Sequence, residues 1–83
     1  MKLTVRYFAS VREALGTGEA LELTAPATVG AVRDWLITLD AAHAAALGRG
    51  RALRTALDQV LCSEDAAIGE GAEVAFFPPV TGG

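Results

Sequence analysis

The residues best suited to chemistry stand at the end of the chain, in Thr81-Gly82-Gly83. Two residues without a Cβ can pass through a channel too narrow for any side chain, so only backbone need enter a partner's site. A terminal carboxylate has a pKa of about 3.3 to 3.7 and is ionised at neutral pH. Held against ATP in a partner's site, it can attack the α-phosphorus and become an acyl-adenylate, which a sulfur or nitrogen nucleophile then displaces. Pro78-Pro79 cannot continue a sheet ladder and holds the chain extended, which directs the tail outward. The competing reading is an incidental ending, which ordinary glycine usage produces about once in two hundred chains.

A second feature is a pair of aromatic residues on faces that should meet water. Lys2 to Phe8 alternates with period two, with Leu3, Val5 and Tyr7 on one side and Lys2, Thr4, Arg6 and Phe8 on the other. Glu73 to Phe77 alternates likewise, with Val74 and Phe76 inward and Glu73, Ala75 and Phe77 outward. A slip of the period at a strand end would return either ring to the core. The coincidence of Phe8 and Phe77 favours a binding patch, with Leu61 as a third apolar neighbour. Burying two such rings contributes about 3 to 6 kcal/mol, less than most of the association cost of about 4 to 15 kcal/mol. Partner binding therefore needs hydrogen bonds along the tail as well.

Other reactive side chains are poorly placed for catalysis. His43 is the sole histidine and cannot build a nucleophile-base pair or a His-rich metal site, so it reads as a surface or satisfied histidine. Cys62 is the sole cysteine and reads as a small buried hydrophobe, with no disulfide and no metal site. Arg49, Arg51 and Arg54 either form a solvated face or meet an acidic partner or phosphate. Glu64, Asp65, Glu70 and Glu73 lack metal-ligand organisation; Glu73 is the one placed to steer a basic partner.

The elements that must position these residues follow from the pattern. After the first strand, Ser10-Val11-Arg12-Glu13 has capping-box spacing for a short helix that Gly16 can stop. Ala20 to Thr24 forms a second strand ending before Pro26, paired hairpin-like with the first. Thr28 caps the main helix, with Val29, Val32, Leu36 and Leu39 on its apolar side, Arg33 and Asp34 on its wet side and Trp35 at the boundary. From Asp40 to Gly50 a weaker helical turn and a loop follow. Thr55-Ala56-Leu57 and Val60-Leu61 are short strand pieces, Ser63 to Gly71 is a turn region, and the last strand stops at Pro78. A mixed sheet with one main helix packed across it is an α+β fold, the ubiquitin-like β-grasp. Residues 1–78 are its domain and residues 79–83 a flexible tail.

Composition agrees with that frame. The 83 residues suffice for one domain and leave little room for an enclosed active site. A hydrophobic content of 52% with 20% charged residues is globular, and no apolar run reaches a membrane-spanning length. The start lacks a signal sequence, which points to the cytoplasm. A net charge of -3 argues against nucleic acid, whose recognition needs a basic face. The expected partner is a protein.

The stretch from Gly71 through Phe76-Phe77-Pro78-Pro79-Val80-Thr81 to Gly82-Gly83 resembles the C-terminal signature of the molybdopterin synthase small subunit (MoaD family), a ubiquitin-like sulfur carrier. Phe8-Ala9 with Val11-Arg12-Glu13 and Gly16 is similar to that family's first strand and turn. Leu57-Asp58-Gln59 resembles its Val-Asn-Gln segment, and Thr28-Val29 the start of its main helix. Asp58 stands where Asn is expected and Ala72 where Asp is common, either of which can alter a local turn or a partner contact. Residues His43 to Arg54 carry no resemblance.

The resemblance implies a mechanism. An E1-like adenylyltransferase (MoeB type) uses ATP to adenylate Gly83, and a sulfurtransferase system converts the adenylate to a thiocarboxylate. The tail then enters the large subunit (MoaE type) of a heterotetramer, where its sulfur goes to cyclic pyranopterin monophosphate during molybdenum cofactor biosynthesis. Phe8, Leu61, Phe77, Pro78, Pro79, Val80 and Thr81 become partner-binding residues, and Gly82 and Gly83 the reactive end. The chain would bind no cofactor or metal itself and would donate sulfur as a non-catalytic subunit. A carrier for thiamine or another sulfur pathway fits the Phe-Phe-Pro-Pro-Val-Thr-Gly-Gly ending less well, and an interaction module with an incidental Gly-Gly end is the rival of a different class.

Overall fold

The computed structural model describes residues 1–79. The expectations for Val80, Thr81, Gly82 and Gly83 lie outside the described residues. Five strands and three helices follow in the order β1 (Lys2–Tyr7), α1 (Ala9–Leu15), β2 (Gly18–Glu22), α2 (Val29–Ile37), α3 (Ala41–Leu47), β3 (Arg54–Leu57), β4 (Val60–Cys62) and β5 (Glu73–Phe77). The sheet order is β2-β1-β5-β3-β4. Only β1 and β5 run parallel; the other pairs are antiparallel. The first and last strands are thus central neighbours, and everything between them forms the crossover that a parallel pair requires. This is the expected mixed β-grasp sheet.

The core lies on the sheet face covered by the helices. Alternation drives Leu3, Val5 and Tyr7 of β1, with Val74 and Phe76 of β5, onto Val29, Val32 and Leu36 of α2 and Leu47 of α3, all buried. Full burial of each large apolar side chain contributes about 1.5 to 3 kcal/mol. Thr28 caps α2 as expected, its Oγ1 accepting from Ala31 N at 3.1 Å. Gly16 ends α1 at φ 90°, in the region that favours glycine, and donates its N–H to Arg12 O.

Several local expectations need correction. The Ser10–Glu13 capping box does not form: Phe8 takes the N-cap position with an extended backbone, no side chain caps the helix, and Ser10 lies inside it. Phe8 is accordingly just beyond β1. The second strand lies earlier than expected, because antiparallel register pairs Lys2 with Glu22 and Arg6 with Gly18. The Ala-rich stretch after Asp40 makes a helix, α3, because the Asp40 carboxylate accepts from His43 N at 2.8 Å and caps it. Leu39 falls beyond α2 and is exposed.

The largest correction concerns Arg33, which is buried rather than on the wet side of α2. Its Nε donates to Leu47 O at 2.7 Å, and its Nη2 to Gly48 O at 2.8 Å and Arg51 O at 3.1 Å. Its Nη1 meets Glu64 Oε2 at 2.7 Å. A planar guanidinium can satisfy carbonyls at the end of α3 and a carboxylate at once, which is what makes its burial tolerable. Ala75 is also buried although it points away from the helices, because its small side chain is shielded by larger neighbours.

Candidate functional site

The face of the sheet without helices carries the candidate site. Register aligns Arg6, Ala75, Ala56 and Leu61 in one row across β1, β5, β3 and β4. Phe77 is the register partner of Arg54 in the next row. Phe8 leaves the end of β1 beside them, and the Phe8 and Phe77 rings meet edge to face with centroids 6.5 Å apart at 84°. That geometry is the favoured one for two aromatic quadrupoles.

These rings wall a shallow concavity of about 440 Å³, with Ala56 and Ala75 as its floor and Gln59, Glu73 and Pro78 on its rim. Small residues at the floor and aromatic residues at the wall leave an apolar hollow facing solvent. Phe8 is 40% exposed and Leu61 68% exposed, an energetically unfavourable state unless something covers them. Phe8 and Phe77 are therefore brought together as expected, while Leu61 stands apart on the edge strand, in row with the floor but outside the hollow. Pro78 and Pro79 follow β5 directly and are half-buried.

Local backbone geometry fixes this surface. Ala9 has φ 52°, a left-handed conformation costly for a residue with a Cβ, and it turns the chain immediately after Phe8. Asp58 and Gln59 have φ 49° and 69°, the pair of positive values that a tight two-residue hairpin between β3 and β4 demands. Asp58 serves here because short polar side chains tolerate that region. Its Oδ1 accepts from Glu73 N at 2.9 Å and its own N donates to Glu73 O at 2.8 Å, tying the hairpin to the start of β5. Ala72 is buried, and only its backbone is engaged, donating to Gly69 O and accepting from Thr4 N.

Two polar clusters hold the helices against the other side of the sheet. Tyr7 donates its hydroxyl to Glu19 Oε2 at 2.6 Å, the same oxygen that meets His43 Nε2 at 2.6 Å; His43 Nδ1 meets Asp40 Oδ1 at 2.8 Å. With a carboxylate at each ring nitrogen, the imidazolium is the form that can donate to both. Burial alone would lower the His43 pKa, but the bonds to Glu19 and Asp40 outweigh it and raise it. Burial likewise opposes ionisation of Glu19, yet the bonds from Tyr7 and His43 bring its pKa below the ordinary value. Burial and then Glu19 push the Tyr7 phenol far up. His43 is thus the satisfied histidine the sequence implied.

In the second cluster Glu64 joins Arg33 and Arg49, and Arg49 also meets Asp34 Oδ1 at 2.6 Å. Burial raises the Glu64 pKa, but the two arginines more than compensate and lower it. The segment after β4 is in this way pinned to α2, where Gly30 N donates to Glu64 O at 2.8 Å and a Cβ on Gly30 would crowd Glu64. Among the described residues no group of His, Cys, Asp and Glu side chains is arranged to hold a metal ion. Among the same residues no helix is long and apolar enough to cross a membrane.

Sequence reading missed the floor, Ala56 and Ala75, since alanines carry no signal of their own. The flanking cations, Arg6 on the polar side of β1 and Arg54 among the arginines that form a solvated face or meet an acidic partner, are placed beside the rings only by the fold. Arg6 lies over the Phe8 ring at 5.6 Å from its centroid, and Arg54 sits beside Phe77. Once β3 is paired with β5, Arg54 falls on the same face as Phe77, so the register was the missing information.

The model of the ThiS family matches residues 5–83. The molybdopterin synthase sulfur carrier subunit of Escherichia coli (strain K12) is 45% identical over 82 residues, covering 98% of this chain and 99% of that protein. That of Haemophilus influenzae is 43% identical with the same coverage. Among solved structures, SAMP1 from Haloferax volcanii superposes with a TM-score of 0.76 at 26% identity, covering 100% of both chains.

Proposed function

The chain belongs to the ThiS family, and from that premise we propose that it works as the sulfur carrier subunit of a molybdopterin synthase. The observation that carries this reading is near full-length likeness to curated sulfur carriers, in a chain whose Phe8–Phe77 hollow adjoins the strand leading to Gly82-Gly83.

In this reading a carboxylate oxygen of Gly83 attacks the α-phosphorus of ATP in an E1-like adenylyltransferase. Pyrophosphate leaves, and the acyl-adenylate forms. Sulfide-level sulfur from a sulfurtransferase displaces AMP and leaves a thiocarboxylate. The large synthase subunit covers the apolar hollow, receives the tail, and passes the sulfur to cyclic pyranopterin monophosphate. Water supplies the oxygen that restores the carboxylate. The chain's own part is to dock through Phe8, Leu61, Phe77 and Pro78 and to present an end narrow enough to enter. ATP belongs to the activating partner, and the cytoplasm is the compartment for the cycle.

Intact-mass measurement tests this reading. After incubation with ATP, an E1-like activator and a sulfur donor, one oxygen of the chain is replaced by sulfur, and fragmentation places the exchange at Gly83. An unchanged mass overturns the carrier role. Copurification with the molybdopterin synthase large subunit supports this pathway; copurification with a thiamine-thiazole enzyme instead transfers the carrier to another one.

A further inference from the structure

The outer face is electrically uneven along the strand direction. Arg6 and Arg54 are exposed and flank the two rings, Arg6 over Phe8 and Arg54 in register with Phe77. Among the described residues neither forms an ion pair, whereas Arg33 and Arg49 are committed to Glu64 and Asp34. The other end of the face is net acidic: Lys2 stands there too, but it is matched by its exposed register partner Glu22. Glu73 is at the start of β5 in register with Thr4, and Asp58 is bound to its N–H. Two cations thus border the end from which Pro78 leads out, whereas at the opposite end Glu73, Asp58 and Glu22 outnumber Lys2. The basic end exists in a chain whose net charge is -3.

We infer that this dipole orients docking on the large subunit, whose matching surface presents carboxylates opposite Arg6 and Arg54 and a cation opposite Glu73 and Asp58. The identity of the partner rests on the sulfur-carrier reading above. Burial of the hollow formed by Phe8, Ala56, Ala75 and Phe77 is favourable but non-directional, and it does not distinguish a productive approach from one turned half round. A turned approach sends the tail away from the partner's reaction site. Exposed ion pairs add little to affinity, but complementary charge steers the encounter and penalises the wrong orientation. The face therefore divides its tasks, with the rings holding the complex and the charges selecting how it forms.

The test is stopped-flow association of the full chain with the molybdopterin synthase large subunit across a salt series. Neutralising both cations (R6Q/R54Q) is expected to slow association about tenfold at low ionic strength and to flatten its salt dependence. The dissociation rate should change by less than about threefold. Reversing the acidic end (E73K) should slow association too. Both effects should fade as salt shortens the screening length to about 3 Å near 1 M. R54Q alone leaves the Arg6–Phe8 stacking intact and keeps the test valid if R6Q disturbs the fold. Association of R54Q and R6Q/R54Q at the wild-type rate overturns the inference, and so does faster association of E73K, which would mean a uniformly acidic partner surface. Failure of the unaltered chain to bind the large subunit overturns the sulfur-carrier reading itself, whereas unaltered binding with indifferent charge variants removes this inference alone.

Discussion

Phe8 and Phe77 come from opposite ends of the chain, yet their rings meet edge to face at 6.5 Å. The parallel pairing of β1 with β5 makes this possible, since Tyr7 is in register with Phe76 and both chains leave the sheet at the same end. The aromatic hollow is therefore a direct product of the topology.

Truncating either ring should separate binding from folding. Phe77→Ala removes one wall of the hollow and the aromatic contact with Phe8, while the core residues Val74 and Phe76 stay in place. Affinity for the large subunit is expected to fall by about 2 to 4 kcal/mol, the range of an aromatic hot spot. Stability should fall by no more than about 1.5 kcal/mol, the share of the aromatic pair. Isothermal titration and urea unfolding measure the two, and a core-sized stability loss of about 3 to 5 kcal/mol would show that Phe77 belongs to the core.

Arg33 should dominate the polar contribution to stability. Arg33→Met leaves the Leu47 and Gly48 carbonyls without their donor and breaks the contact with Glu64. Removing one partner of a buried, hydrogen-bonded charge typically costs about 3 to 5 kcal/mol. Arg33→Lys should recover only part of this, since a single ammonium cannot reproduce the fork. Urea melts of the two variants decide it; equal stability of Arg33→Met and the unaltered chain would contradict the network.

The His43 cluster predicts a pH dependence with a definite sign. The folded pKa of His43 is raised, so its stabilising contribution is fully present below the unfolded value of about 6.5 and is lost as pH rises through the folded value. Glu19 and Asp40 have lowered folded values, so their contributions are present above the unfolded carboxylate range and lost as pH falls through the folded ones. Replacing His43 by Gln should thus destabilise the chain most in mildly acidic solution and progressively less toward alkaline pH. Thermal melts across pH test this, and a difference that grows toward alkaline pH would reverse the assignment.

Much of the fold is legible in the sequence because its signals are local. The period-two runs at Lys2–Tyr7 and Glu73–Phe77 and the Thr28 cap need no tertiary information. What escapes is set by distant partners. Arg33 looks like a wet-face residue until α3 and Glu64 close over it, and Ser10 looks like a cap until the turn at Ala9 gives that place to Phe8. The site divides the same way: the aromatic pair breaks a local pattern, while Ala56, Ala75 and Arg54 join it only through register. Asp58 in place of an expected Asn changes little in the turn, because one carboxylate oxygen is enough to accept from Glu73 N.

Removing Gly82 and Gly83 should isolate the chemistry from everything else. The buried apolar core runs from Leu3 to Phe76, and the Phe8 and Phe77 rings lie before Pro78, so the deletion removes none of these side chains. The melting temperature is expected to stay within about a degree of the unaltered value, since a change near 1 kcal/mol would already move it by about 4 to 8 °C in a domain of this size. Sulfur incorporation should be abolished, because no carboxylate then reaches the position where adenylation occurs. Large-subunit binding should weaken only by the backbone hydrogen bonds of the deleted residues, at about 0.5 to 1.5 kcal/mol each. Phe77→Ala should show the opposite pattern, weakening binding strongly while leaving the tail competent for thiocarboxylate formation at high partner concentration. Measuring both variants by intact mass and by titration separates the roles: a deletion that unfolds the domain would make the tail structural, and a Phe77→Ala chain that cannot be adenylated at any partner concentration would place that ring in the chemistry rather than the docking.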